Sequence, residues 1–339
     1  MKKMKKIIYL IFAIIFISCA AFLKTDKKLI NYVDPFIGSG GHGHVFVGAN
    51  VPFGGVQVGP TNFNKGWDWS SSYHHTDSIV KGFCHINVSG TGMSDLGELT
   101  IMPATGELKT GAGTQENHMA GYSSLYRKNK EFATAGYYKV HLERYDIDVE
   151  LTATERVGLH NYIFPAAEKS RIIIDLGEGS ADRPTETYIK KVNDTLFEGH
   201  RFSTGWARDQ REYFSLVISK PVSDFIIYDR HKKFKGIERK GDYVKGFLEF
   251  SSEKDEKIMV KMGISTVSSK NALENMMIEL PHWDFERVKK NAEQKWEKEL
   301  AKIKIKTKDK KKKRVFYTAM YHTMIAPNLY HDLNGEYRG

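Results

Sequence analysis

A mainly β fold, an antiparallel β-sandwich over residues 31–267 followed by helices, is what this 339-residue sequence predicts. Three observations carry the prediction. From Tyr137 to Ile264 the chain runs as short segments of alternating or continuous apolar character, broken by turn residues at 177–179, 220–221 and 240–242. No helical period intervenes among them, which argues against βαβ units and for antiparallel sheets. The 17 Tyr and 19 Phe supply side chains that pack well on pleated surfaces.

Taken in order, residues 1–19 carry a basic head (Met1 to Lys6), an apolar run (Ile7 to Ile17) and then Ser18-Cys19. The run is too short to span a bilayer and reads as an export signal. Ile17-Ser18-Cys19 resembles the end of a bacterial lipobox, so Cys19 is expected to be lipidated and the mature protein to be a membrane-anchored lipoprotein, periplasmic or at the cell surface. Residues 20–30 form a tether. Nine glycines between Gly38 and Gly66 exclude a helix and weaken any long strand. The region to about Pro103 therefore reads as loops that carry side chains. Strands are expected at 137–142, 147–153, 158–164, 171–176, 213–219, 246–251 and 257–264.

The period changes at Ser268, which caps a helix start. After Pro281, Asp284 is placed to cap a second helix, whose Phe285, Val288, Ala292, Trp296 and Leu300 fall on one face. Lys302 to Lys306 alternates as an extended connector would. Val315 to Ala326 begins a further amphipathic helix that Pro327 ends. That helix has no evident partner in the remaining sequence, so 268–310 is read as a helical linker and 311–339 as the start of a truncated domain.

The formal charge of +10 is scattered apart from one dense run, Lys302 to Arg314, which reads as a solvated linker, and no nucleic-acid partner is expected. Beyond Cys19 the only cysteine is Cys84, so no intramolecular disulfide is expected, and the apolar flanks of Cys84 favour buried packing.

Five of the 13 histidines fall between His42 and His85, among Trp67, Asp68, Trp69, Tyr73, Asp77 and Asp95. His42 and His44 point the same way in an extended segment and could bind a metal or a polyol, but no further ligands follow at a recognisable spacing, so no metal site is expected. His74 is a possible ligand contact. His85 sits in an apolar strand pattern that equally suits a satisfied core histidine. Trp67, held between Gly66 and Asp68, suits a sugar ring whose C–H face packs on indole while its hydroxyls seek carboxylate or imidazole. The dense patch from Arg201 to Arg211 is read as salt-bridged sheet.

At these residues the chain resembles glycoside hydrolase family 92, the calcium-dependent exo-α-mannosidases of glycan-degrading Bacteroidetes. The motifs are Tyr32-Val-Asp-Pro-Phe-Ile-Gly38, Gly40-Gly-His-Gly-His44, Gly66-Trp-Asp68, Ser89-Gly-Thr-Gly92, Trp206-Ala-Arg-Asp-Gln210 and Phe316-Tyr-Thr-Ala-Met-Tyr-His-Thr323. The resemblance implies a sandwich followed by an (α/α)6 barrel, with inverting hydrolysis of terminal α-mannosides between the two. It also implies that the acid, the base and the calcium ligands lie beyond the position of Gly339, leaving no catalytic or metal residue here. The substrate-binding candidates it carries over are Trp67 and Asp68, then His42, His44, His74, His85 and Arg338. Trp69-Ser-Ser-Ser72 departs from the family's usual pattern after Trp-Asp and leaves linkage preference open. The resulting expectation is the N-terminal part of an exported α-mannosidase that takes mannose-containing glycans, meets the membrane only through its lipid, and is inactive alone. The alternative is a non-catalytic carbohydrate-binding sandwich.

Overall fold

The computed structural model describes residues 28–339, and the expected export signal, Cys19 and most of the tether lie outside them. Two antiparallel sheets face each other. The first has eight strands in the spatial order Ala49–Asn50, Gln57–Thr61, Gly82–Cys84, Thr100–Thr105, Ala167–Asp175, Val244–Ser252, Asp224–Asp229 and Lys232–Phe234. The second has nine, in the order Glu238–Gly241, Arg183–Lys191, Leu196–Thr204, Gln210–Ile218, Glu256–Ser265, Val157–Phe164, Ile147–Ala153, Tyr137–Leu142 and Phe132–Thr134. Their inner faces form one continuous core in which Val58, Phe83, Ile101, Ile173 and Phe247 of the first sheet meet Val149, Leu151, Tyr162, Leu216 and Val260 of the second. Several strands of the first sheet, Gln57–Thr61 and Gly82–Cys84 among them, are buried along their whole length, so loops and neighbouring elements cover that sheet's outer face as well.

Strands 137–142 and 147–153 coincide with the sequence reading, and the remaining expected ones lengthen by a few residues. Two long strands were not read from the sequence at all. Leu196–Thr204 turns Phe197, Gly199, Arg201 and Ser203 inward, so its buried face is largely polar and gives no apolar alternation. Arg183–Lys191 beside it is mostly polar throughout.

Three helices follow: α1, Ser269–Glu279; α2, Phe285–Leu300; and α3, Lys310–His322. Ser268 and Asp284 cap the first two, accepting from the backbone N–H groups of Asn271 and Arg287. Phe285, Val288, Ala292, Trp296 and Leu300 are the buried face of α2, as their spacing predicts.

Helix α3 corrects two expectations. It starts five residues before Val315, because Asp309 accepts from the N–H groups of Lys311 and Lys312 and lysine tolerates helix well, so part of the lysine run is helical. It also has partners. Tyr321 packs on Trp296 in a tilted arrangement with ring centroids 4.6 Å apart, Tyr317 stacks on Tyr32 at 6.0 Å, and both join a second buried cluster with Ile30, Phe46 and Leu300. Local periodicity could not show that residues 29–32 return to cover this helix.

Candidate functional site

The glycine-rich loops set out one aromatic cluster at the surface. Trp67–Trp69 is a single 3-10 turn entered from Gly66 at φ +112°, and it leaves the Trp67 indole 56% exposed. Gly92 lies against the Nε1 side of that indole, where a Cβ would come within 2.7 Å of Trp67 Nε1, so a larger residue there would push the indole aside. The His44 ring meets the indole edge-on at 4.2 Å between centroids, and the His42 ring lies at 5.2 Å. His42 Nδ1 donates to Asp68 Oδ1 across 2.6 Å, and this hydrogen bond is the main reason the Asp68 carboxyl is held below its usual range. His44 is buried, adopts a left-handed φ of 53°, and holds its Nε2 3.6 Å from Asp68 without a hydrogen-bond partner. Trp67, Asp68, His42 and His44 are therefore one unit.

Of the other two histidine candidates, His74 borders this cluster and His85 lies in the core. Thr76 donates from both its backbone N–H and its hydroxyl toward His74 Nδ1, and Nε2 is 3.3 Å from the Gly41 carbonyl, while the ring stacks on Trp69. His74 thus braces one glycine-rich loop against the next. His85 is 0% exposed, between the two sheets. Its Nδ1 lies 2.7 Å from the Leu99 carbonyl and its Nε2 2.9 Å from His160 Nε2, and His160 Nδ1 is 2.8 Å from the Tyr162 hydroxyl. Both nitrogens of His85 are taken within the protein, and no face of the ring is open to a ligand.

Beside the Trp67 cluster is a cavity of about 600 Å³. Three stretches far apart in sequence line it: Ile86 to Leu96, Trp206 to Glu212, and Asn328 to Arg338, with Arg156 below. Thr91 and Met93 belong to its wall, so the segment carrying Gly92 separates the cavity from the Trp67 indole. Of the seven residues proposed from sequence, Arg338 alone is part of the lining.

The patch 206–211, read from sequence as salt-bridged sheet, is partly that: Arg211 pairs with Asp209 at 3.1 Å. Its larger role is to form the turn between strands 196–204 and 210–218 that walls the cavity. Asp95 Oδ2 holds this turn by accepting from Gln210 Nε2 at 2.7 Å and the Ala207 N–H at 3.2 Å. The signal that could have exposed the wall is the tryptophan itself, an indole set between Gly205 and Ala207 with charged residues following and no large apolar neighbour to pack on.

Across the cavity, Asp332 fixes the C-terminal segment by accepting from Ser265, Asn271 and Asn275 at 2.7, 2.8 and 2.7 Å. Arg156 donates from Nε to the His331 carbonyl at 2.8 Å and pairs with Glu279 at 2.7 Å. The carboxyl of Glu212 is different. Burial, reinforced by the charges of Glu98 and Asp332 and opposed by Arg338, pushes it well above the carboxylate range, and its Oε2 has no partner. Apolar surface from Ile86, Met93, Leu96 and Trp206 with hydrogen-bonding groups at the rim is a lining suited to a polyol. Among the described residues no group of three or more His, Cys, Asp or Glu could hold a metal ion.

Residues 32–265 match the glycosyl hydrolase family 92 N-terminal domain, and residues 271–339 match the glycosyl hydrolase family 92 catalytic domain. The gap between the two matches, residues 266–270, runs from the end of the last strand into the first turn of α1. A family GH92 α-mannosidase from Bacteroides thetaiotaomicron superposes with a TM-score of 0.89 at 33% identity, over 92% of this chain and 43% of that one. The same protein has been solved in complex with mannoimidazole. A GH92 inverting mannosidase from that organism superposes with a TM-score of 0.79 at 23% identity, over 92% of this chain and 42% of that one, which speaks to the fold. An uncharacterized secreted glycosidase of Arthroderma benhamiae is 25% identical over 92% of this chain and 43% of its own length. The chain thus spans less than half the length of the relatives it matches.

Proposed function

Because this chain belongs to glycosyl hydrolase family 92, we propose that it supplies the sandwich side of a cleft that grips a terminal α-mannoside. The observation that carries this reading is the position of the cavity. It is lined by residues 86–96 and 206–212 of the N-terminal match and by residues 328–338 of the catalytic match, so it lies where the two regions meet. Trp67 presents its exposed indole next to the cavity wall, with Asp68 and His42 locked together at its edge as hydroxyl-binding groups. The mannoimidazole complex of a 33%-identical relative supports a mannoside as the ligand class.

Hydrolysis with inversion needs a proton donor and a water-activating carboxylate about 6.5–9.5 Å apart across the sugar. In this cavity Asp95, Asp209 and Asp332 are all engaged in hydrogen bonds within the protein. We assign proton transfer to residues of a relative-length protein beyond these 339, and binding and orientation to these. Calcium, which the family resemblance implies, does not fit the residues present: among the described residues no group of three or more His, Cys, Asp or Glu could hold a metal ion. No step is assigned to it here.

Export with a lipid on Cys19 completes the reading, supported by the basic and apolar head of the sequence and by the secreted glycosidase among the relatives. Radiolabelled palmitate incorporated by the parent and not by Cys19→Ser is the expected result for that part.

The test of the cleft is calorimetric titration of the 339-residue chain with methyl α-mannoside, paired with an assay of p-nitrophenyl α-mannoside turnover. Binding that Trp67→Ala weakens about tenfold or more, without turnover, is the expected outcome. Turnover by this chain, or affinity untouched in Trp67→Ala, would refute it.

A further inference from the structure

Residues 302–314 hold nine Lys and Arg against the single Asp309, a net charge of +8 in a chain whose total is +10. Four other lysines lie in the expected export signal, residues 1–19, so the remainder of the mature chain sums to −2. A solvated linker needs no such concentration, and the fold shows what it costs. Lys310 to Arg314 occupy the first turns of α3, the end of a helix where cations are unfavourable, and Asp309 alone answers them there. Lys302 pairs with Glu299, and Arg314 lies 3.8 Å from Asp34. Between them Lys304, Lys306, Lys308, Lys310, Lys311 and Lys312 form no ion pair among the described residues. Like charges at this density repel one another until an anionic surface is brought up to them.

The run is fixed beside the place where the chain enters the domain. Glu297 of α2 accepts from the N–H groups of Leu29 and Ile30 at 3.0 and 2.9 Å, and Thr318 of α3 accepts from the Asp34 N–H at 3.0 Å. Lys313 Nζ lies 5.2 Å from the centroid of the Tyr32 ring, which stacks on Tyr317. The Tyr317 hydroxyl donates to the Ile303 carbonyl at 3.2 Å and accepts from the Ile305 N–H at 3.4 Å, so the connector is held to the same helix. Eight residues, 20–27, separate Lys28 from Cys19, and full extension keeps those two positions within roughly 30 Å of each other. Lys24, Lys27 and Lys28 against Asp26 carry the positive charge on into this tether.

We propose that residues 302–314, with Lys28 beside them, form a membrane-contact patch that binds the anionic phosphate headgroups of the bilayer holding the chain's lipid. The proposal takes its setting from the lipidated-tether reading above and is independent of the sugar cleft. It replaces the expectation that the lipid is the sole contact with the membrane. Polybasic segments next to an anchor bind an anionic leaflet in proportion to the cations they bring within about one Debye length of it. Lysine suits that task, because a point charge on a flexible stem needs no fixed phosphate position. Contact here turns the N-terminal end of α3 toward the bilayer and so sets the orientation of the domain.

The experiment is co-sedimentation of the mature-length chain without its lipid, residues 20–339, with phosphatidylcholine vesicles that contain about one-third phosphatidylglycerol or none. Partition onto the anionic vesicles is expected to be about a hundredfold stronger at about 0.1 M salt and to fall about tenfold or more at about 0.5 M. Lys310→Gln, Lys311→Gln and Lys312→Gln combined should weaken it about tenfold or more, with the melting temperature unchanged or raised, since Gln matches Lys in helix propensity. A control combines Lys232→Gln, Lys233→Gln and Lys235→Gln, which remove the same charge at the opposite edge of the first sheet. That edge lies seven strand spacings, roughly 30 Å, from Ala49–Asn50, where α2 docks through Trp296. The control should stay within about twofold of the parent. Equal partition onto both kinds of vesicle, or equal losses in the two triple variants, overturns the patch. The palmitate assay reads the anchor separately, so the two readings fail independently.

Discussion

Arg338 donates from Nη1 to the Asp209 carbonyl at 2.8 Å and from Nη2 to the Asp209 carboxylate at 2.5 Å. This contact joins the segment after α3 to the tip of a hairpin 129 residues earlier and ties together two walls of the cavity. Both partners are part-exposed, so the pair contributes under about 1 kcal/mol to folding, and its consequence lies in cleft geometry.

Arg338→Ala and Asp209→Ala are each expected to weaken methyl α-mannoside affinity several-fold with little change in melting temperature. The double variant should be no worse than the weaker single one, because the two side chains act as one unit. Additive losses in a calorimetric double-mutant cycle would show that they act separately.

His85 and His160 make the interior acid-sensitive. The Leu99 carbonyl can only accept, so His85 Nδ1 carries the proton and His85 Nε2 accepts from His160 Nε2, whose Nδ1 accepts from Tyr162. Protonation of His85 at Nε2 would set two N–H groups against each other, and protonation of His160 at Nδ1 would force the Tyr162 hydroxyl to turn from donor to acceptor. Burial lowers His85 from 6.5 to about 4, so its contribution is fully present above pH 6.5 and is lost as pH falls from there through about 4. The loss amounts to about 3 kcal/mol by linkage. Imidazole nitrogen shifts should report both rings neutral at pH 5.5, whereas a titration midpoint near 6.5 would contradict the relay.

Arg201 has the opposite kind of buried chemistry around it. Its 0% exposed guanidinium lies 2.9 Å from Glu98 and 2.5 Å from Asp182, two carboxyls that are also fully buried. Arg201→Met leaves two acids with one cation removed and should cost about 3–5 kcal/mol in urea unfolding. Burial raises Glu98 above its ordinary 4.5, with Asp182 adding to the shift and Arg201 opposing it. That stabilisation is complete below pH 4.5 and lost as pH rises through the raised value. Glu98→Gln should therefore gain on the parent at about pH 8.5 and show no gain at about pH 5; the reverse order would disprove the assignment.

Trp296 is the bolt between helices and sandwich. It is fully buried, donates from Nε1 to the Asn50 carbonyl at 2.8 Å and packs at a tilt against Tyr321. Trp296→Ala should cost about 3–5 kcal/mol, and Trp296→Phe, which loses the hydrogen bond but keeps most of the volume, clearly less. Denaturation curves of the two variants that coincide would remove the packing argument.

Local chemistry alone specified much of this protein. Strands 137–142 and 147–153, the caps at Ser268 and Asp284 and the five-residue face of α2 follow from alternation, capping and a 3.6-residue period, which act over a few neighbours. Trp67 and Asp68 stood out as neighbours in a glycine-rich loop, but their contacts with His42 and His44 came only from the fold. Tertiary structure alone decided which histidines face solvent and which are core, since His42 and His85 differ by what folds over them. It also decided that strand 196–204 could bury Arg201, and that residues 86–96, 206–212 and 328–338 share one cavity. Those contacts join positions more than a hundred residues apart, and the free energy that selects them comes from burial and from pairing buried charge, neither of which leaves a periodic trace in the chain.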